Sequence, residues 1–216
     1  MKSTLFASIL LFATSALSAP VSQGTPTFST RDDTAPAPSS QPTIVYPDLQ
    51  VQWRSKEPTR NGKNTNDGRL LTSPWEKIHT AVIFELGRQP NPEKLKGKQC
   101  KLVFHLSQND WAVNQLSDTP PKFDIYRLTG CLNDAYSWNN ILPRGAQIGT
   151  LTPKKGGAAV WQSVDMKADT IEPRMGDAPT FPCEKAEYSF EMIAHPGASF
   201  GWNSASGSGL RLEISG

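Results

Sequence analysis

The amino-acid sequence predicts an all-β fold, an antiparallel β-sandwich or jelly roll of about eight strands, and three observations carry that expectation. Apolar residues recur with a period of two in short runs. Those runs are separated by Gly, Pro and Asn turn signals. No segment sustains a 3.6-residue apolar period over about ten residues, so no long amphipathic helix is expected.

Ahead of this pattern, residues 1–18 have the layout of a secretory signal peptide: Lys2, an apolar run from Leu5 to Ala13, then the small residues Ser15, Ala16 and Ser18. The run is shorter than the roughly 20 residues of a membrane-spanning helix. Cleavage is expected after Ser18, with Ala16 and Ser18 in the two small-residue positions. Residues 19–44 form a Pro/Ser/Thr-rich spacer, of which Ala19 to about Gln41 is too poor in large apolar residues to offset the entropy of ordering, and disorder is expected there. Its hydroxyl density suits O-linked sugar, whereas the chain contains no Asn-x-Ser/Thr sequon. The globular domain is expected over residues 45–216.

Within the domain, Leu49, Val51 and Trp53 alternate with polar neighbours as a first strand. Arg54 to Pro74 is polar and turn-rich, with Asn61-Gly62 and Asp67-Gly68, and is expected to be a long surface loop. A longer alternating run follows in Ile78, Thr80, Val82, Phe84 and Leu86. Further strands are expected at Lys101 to Leu106, Phe123 to Leu128, Gln147 to Leu151, Ala158 to Met166, Glu187 to Ala194 and Leu210 to Ile214. Lys154-Lys155-Gly156-Gly157 reads as a hairpin connection, since glycine supplies the positive φ of tight turns.

The chain has 22 basic and 20 acidic residues; removal of Lys2 leaves 21 against 20, close to neutral. No global pull toward nucleic acid or anionic lipid is implied. Three cysteines, Cys100, Cys131 and Cys183, allow at most one internal bridge and leave an odd thiol. With no CxxC or Cys/His cluster, no structural metal site is expected. No hydrophobic tail follows Ile214, so no membrane anchor is expected.

Several segments together resemble the fungal But-two C-terminal domain, a family named after a ubiquitin-three-binding protein. They are Gly97-Lys98-Gln99-Cys100-Lys101-Leu102-Val103-Phe104, Phe123-Asp124-Ile125-Tyr126-Arg127-Leu128, Phe181-Pro182-Cys183 before the strand ending at Ala194, and Gly209-Leu210 opening the last strand. The resemblance runs from about Val45 to Gly216. It implies a secreted or cell-wall-associated β-domain with no catalytic residues to carry over. Together with the position of each cysteine beside a strand, it implies a Cys100–Cys183 disulfide, with Cys131 left over.

Enzymatic readings are weighed and set aside. Gly197-Ala198-Ser199-Phe200-Gly201 matches the Gly-x-Ser-x-Gly pattern, but all three histidines precede Ser199 and no helix can follow it, so it is expected to be a glycine-rich loop. His79, His105 and His195 are read as isolated surface or edge residues. A copper-dependent oxygenase would begin with histidine, where this chain would begin with Ala19. Glu187 and Glu191 share a strand face about 13 Å apart by strand rise, too far for a glycosidase pair, and are read as a solvated face. No cofactor is expected.

Six tryptophans remain the unusual feature. Trp53 and Trp161 fall in strands and read as core. Trp111, Trp138 and Trp202 fall in polar stretches and, with Asn139 and Asn203, are the candidate ligand-binding residues, because binding sites on rigid β-scaffolds gather on loops. The expected function is a non-catalytic secreted or wall-associated binding protein whose partner is cell-wall polysaccharide or a surface protein. A carbohydrate-binding module and, less favoured, a glycan hydrolase with cross-strand carboxylates are the alternatives.

Overall fold

A computed structural model of the chain describes residues 41–164 and 173–215. The residues read as a signal peptide, most of those read as a spacer, and the end of the strand expected to reach Met166 lie outside the described residues.

The described chain is an antiparallel β-sandwich. Its strands are β1 (Thr43–Val45), β2 (Leu49–Arg54), β3 (Lys63–Asn64), β4 (Asp67–Thr72), β5 (Lys77–Phe84), β6 (Gln99–Leu106), β7 (Phe123–Leu128), β8 (Arg144–Thr152), β9 (Gly157–Ala158), β10 (Val160–Val164), β11 (Pro173–Gly176), β12 (Thr180–Pro182), β13 (Tyr188–Ala194), β14 (Ser199–Asn203) and β15 (Gly209–Ser215). The short helix α1 (Trp111–Gln115) follows β6. One sheet has the order β1-β15-β6-β12, with β9 also on β6. The larger has the order β11-β10-β8-β7-β13-β5-β2-β3, with β4 pairing both β5 and β14.

Strands form at all eight expected places, the one expected from Ala158 to Met166 being divided between β9 and β10 in its described part, and the period-two reading explains why. Phe190 and Met192 on β13 and Val82 and Phe84 on β5 point into the space between the sheets, against Leu102, Phe104, Leu210 and Leu212 of the smaller sheet. Burying such a side chain contributes about 1.5–3 kcal/mol, which fixes which face turns inward.

Two stretches expected to be loops are strands. The segment from Arg54 to Pro74 contains β3 and β4, and the Gly-rich stretch contains β14, paired to β4 from Ser199↔Leu71 to Asn203↔Asp67. Gly68, which mimics a loop signal, leaves the space that Trp202 fills. A Cβ at Gly68, its register partner, would sit 1.9 Å from the indole. Thr43 and Ile44, read as the last residues of the spacer, pair with β15.

The outer face of the larger sheet carries a second apolar layer, with Val51, Trp53, Ala81 and Ile83 under Leu128, Leu132 and Leu142. Residues 129–143, between β7 and β8, lie across this face. They are held by Trp53 Nε1 donating to the Tyr136 carbonyl at 3.2 Å and by the Leu132 N–H donating to Ser189 Oγ at 3.2 Å.

Cys100 and Cys183 form a disulfide, as the resemblance implies, and Cys131 is free. The bridge ties β6 to the residue after β12 across 83 positions of sequence. Replacing both cysteines by serine is expected to lower stability by ~2–4 kcal/mol, because a long loop of the unfolded chain is no longer constrained. Urea denaturation measures this, and a midpoint equal to that of the parent protein would contradict it.

Candidate functional site

Two places on the sandwich gather polar and aromatic side chains. The first is a groove of about 720 Å³ lined by β2, β3, β4, β14 and α1. Gln52 and Arg54 reach it because they alternate with Val51 and Trp53, which belong to the outer apolar layer. Trp111 opens α1 and is 46% exposed; a Cβ on Gly201 would sit 3.0 Å from Cη2 and 3.3 Å from Cζ2 of its ring, so the indole packs closely over β14 at Gly201. Arg69, the register partner of Gly201, lines the same groove.

Asp110 holds the Trp111 end in place. Its carboxylate is buried and accepts from the Ala112 N–H at 2.9 Å, capping α1, from the Asn203 N–H at 2.9 Å and from Ser206 Oγ at 2.7 Å. Burial alone would raise its pKa. Hydrogen bonds from Ser208, Ala112, Asn203 and Ser206 outweigh that and hold it below the ordinary carboxylate value.

The groove is rich in cations. Arg60 is engaged by Glu57 at 2.6 Å, and Asp67 accepts from Asn203 Nδ2 at 3.0 Å. Among the described residues Arg54, Lys63 and Arg69 line the same space without an ion pair.

The second place is a cleft of about 360 Å³ on the outer face of the larger sheet, where Trp138 meets the end of β13. Below it, His79 Nδ1 donates to Glu191 Oε1 at 2.8 Å, and Arg144 reaches Glu191 Oε2 at 2.5 Å through Nε and Oε1 at 3.0 Å through its terminal nitrogen. Glu191 is fully buried. Desolvation pushes its pKa up, but the hydrogen bonds and charges of His79 and Arg144 push it further down, so it stays below the usual carboxylate range. The Trp138 ring lies 4.7 Å from the His79 ring, centroid to centroid. Beside it, His195 Nε2 and Asp124 Oδ1 are 3.0 Å apart.

This corrects two expectations. His79 and His195 are not isolated but each paired with a carboxylate, and Glu191 is not on a solvated face because residues 129–143 lie across that sheet. Glu187 does remain exposed, just before β13. His105 is half-buried on β6, where burial first and Arg211 second lower its pKa. Both carboxylates near the cleft have internal partners, Glu191 through both oxygens and Asp124 through Oδ1, which His195 and Thr150 share. Among the described residues no group of three or more His, Cys, Asp or Glu is placed to hold a metal ion. The Cys131 thiol is pushed up to about 11, by a hydrogen bond with Glu187, then by burial and by the charges of Glu187 and Glu85.

The candidate binding residues do not converge. Trp111 lines the groove, Trp138 is half-buried over His79 with Asn139 exposed next to it, and Trp202 is fully buried within β14 rather than in a polar loop. Trp202 packs edge-on against Phe104 at 5.2 Å and stacks with Phe200 at 5.9 Å, so it offers no face to a ligand. Asn203 Nδ2 donates to the exposed carboxylate of Asp67 at 3.0 Å. The groove cations were not singled out from sequence. Arg54 and Arg69 fall within the stretch expected to be a loop, and only the pairing of β4 and β14 places them beside Trp111.

Fold and site together define a β-sandwich domain with a cationic, aromatic-edged groove. The family model described as "Ubiquitin 3 binding protein But2 C-terminal domain" matches residues 45–206, and the chain belongs to this family. It is not a known enzyme family. A search of curated proteins returns no match. Among the described residues no helix is long and apolar enough to cross a membrane.

Proposed function

We propose that the protein is a secreted, wall-associated domain that performs no chemistry and binds a partner through the groove at Trp111. The observation that carries this reading is the half-exposed indole packed over Gly201, beside guanidinium groups with no internal partner. Exposed aromatics beside unspent arginines are the side chains that dominate binding energy at protein interfaces. The family's namesake, a ubiquitin 3 binding protein by its description, makes a protein partner the favoured class. The signal-peptide pattern of residues 1–18 and the disulfide both suit an oxidising compartment.

A carbohydrate-binding module for wall glycans is the second reading, and it rests on the same indole, whose flat apolar face would stack on sugar. It has lost Trp202 to the core and Asn203 to an internal hydrogen bond, and retains Trp111, with Trp138 and Asn139 at a separate cleft.

Trp111→Ala tests the groove. It is expected to change stability by no more than about 1 kcal/mol, as a half-exposed residue should, while retention on extracted wall protein or wall polysaccharide falls severalfold. Trp138→Ala serves as the comparison at the other cleft. Retention unchanged by Trp111→Ala but lost with Trp138→Ala would move the site to that cleft.

A further inference from the structure

The groove has a second property, set by the phase of hydrogen bonding along β14. In an antiparallel pair, residues alternate between those that bond across to the partner strand and those whose N–H and C=O face away from it. The Thr72 N–H donates to the Ala198 carbonyl at 3.1 Å, so Ala198 bonds across, and by alternation so do Phe200 and Trp202. Arg69, opposite Gly201, gives its N–H to Thr80 Oγ1 at 3.0 Å and accepts from the same hydroxyl at 2.7 Å. Gly201 therefore turns its N–H and C=O to the other edge of β14. Asn203 is in the same phase and sends its N–H outward to Asp110. Ser199 is in that phase too.

No strand pairs with β14 on that side among the described residues. Asp110 covers the edge at Asn203, and the stretch from Ser199 to Gly201 lines the groove. The Trp111 ring sits over the face of the strand, along the direction of the absent Gly201 side chain. An edge of this kind is a template for an added strand.

From this we infer that the groove takes an acidic, extended polypeptide segment, which adds to the outer edge of β14 at Ser199 and Gly201 and sets its carboxylates against Arg54, Lys63 and Arg69. The inference rests on the groove reading above and names its ligand. The backbone edge gives a peptide main chain its hydrogen bonds, which a glycan would not need. Three cations without internal partners supply the charge complementarity. Trp111 offers an apolar contact to one side chain of the segment.

The test is calorimetric titration of the full chain with four probes. These are a capped peptide of alternating Glu and Val, the same peptide with Gln in place of Glu, polygalacturonate, and the neutral glucan laminarin. The acidic peptide is expected to bind, and to bind more weakly as salt is raised. The Gln peptide is expected to bind at least about tenfold more weakly, as is the acidic peptide to the Lys63→Glu/Arg69→Glu double variant. Ser199→Pro removes an outward N–H at a position where an edge strand tolerates proline, and is expected to weaken the peptide by a similar factor without a drop in Tm. Equal binding of the Glu and Gln peptides would overturn the charge assignment. Polygalacturonate or laminarin binding that depends on Trp111 but not on the Ser199 N–H would overturn this inference and leave the groove reading standing. Binding of none of the four probes, or binding that survives Trp111→Ala, would overturn both.

Discussion

Trp202→Ala is expected to destabilise the protein by about 3–5 kcal/mol, the range for removing a wholly buried aromatic side chain. The site cannot collapse cheaply around the loss. The indole is fully buried between Phe104 and Phe200, and two glycines are shaped around it: a Cβ at Gly68 would lie 1.9 Å from the ring, and one at Gly209 would lie 2.7 Å from Nε1. Gly209 also holds φ at +116°, a backbone conformation that side-chain-bearing residues rarely adopt. Backbone on both sides is therefore fixed, and an alanine leaves a cavity lined by rigid strands rather than by side chains able to move in. Trp202→Phe is expected to cost much less, since most of the ring is kept and the buried Nε1, which has no hydrogen-bond partner, is removed. Urea denaturation of the two variants decides it. An alanine variant within about 1 kcal/mol of the parent would show that Trp202 does not organise the pairing of β4 and β14.

The same tryptophan shows where sequence reading reached its limit. The eight alternating strands were legible because the face packed against the opposite sheet must be apolar, and a period of two records that directly. The strands β4 and β14 were not legible, since Gly68 makes room for Trp202 and Gly201 for Trp111, and a glycine that makes room looks in sequence like a glycine that makes a turn. Alternation also separates two faces of a strand without saying whether anything lies on the second. His79 and Glu191 fall on the face opposite the main core, and only residues 129–143 lying across that sheet make it an interior. A signal for this was present. Ala81-Val82-Ile83-Phe84 is a continuous apolar run, the mark of a strand buried on both faces. The groove was legible in part: Trp111 was a candidate from its polar surroundings, whereas its cations lie in the stretch from Arg54 to Arg69, which only the pairing of β4 with β14 brings beside Trp111.

Glu191→Ala is expected to be comparably severe at neutral pH, about 3–5 kcal/mol, because it breaks a buried ionic cluster from its centre. The carboxylate is the shared acceptor. His79 Nδ1 at 2.8 Å and two Arg144 nitrogens at 2.5 and 3.0 Å converge on it, and it is the fully buried member of the group. His79, 4% exposed beneath Trp138, then keeps a donor with nothing to accept it, while the half-exposed Arg144 can turn toward water. Glu191→Gln separates shape from charge. It keeps an acceptor for either His79 or Arg144 and is expected to cost less than the alanine. Acid dependence gives a second readout. The folded-state pKa of Glu191 is depressed below the ordinary value of a glutamate, about 4.5, so its ionised form contributes stability that is fully present above the unfolded-state value. That contribution is lost as pH falls from there through the depressed folded value, where the proton must be taken up at the cost of the bonds to His79 and Arg144. The parent protein should therefore lose stability steadily below about pH 4.5, and Glu191→Gln should flatten that part of the profile while lowering the plateau above it. Denaturation midpoints measured across this range for parent and Gln variant test the sign. Two parallel acid limbs would show that other carboxylates govern acid unfolding and that the Glu191 cluster is held by packing alone.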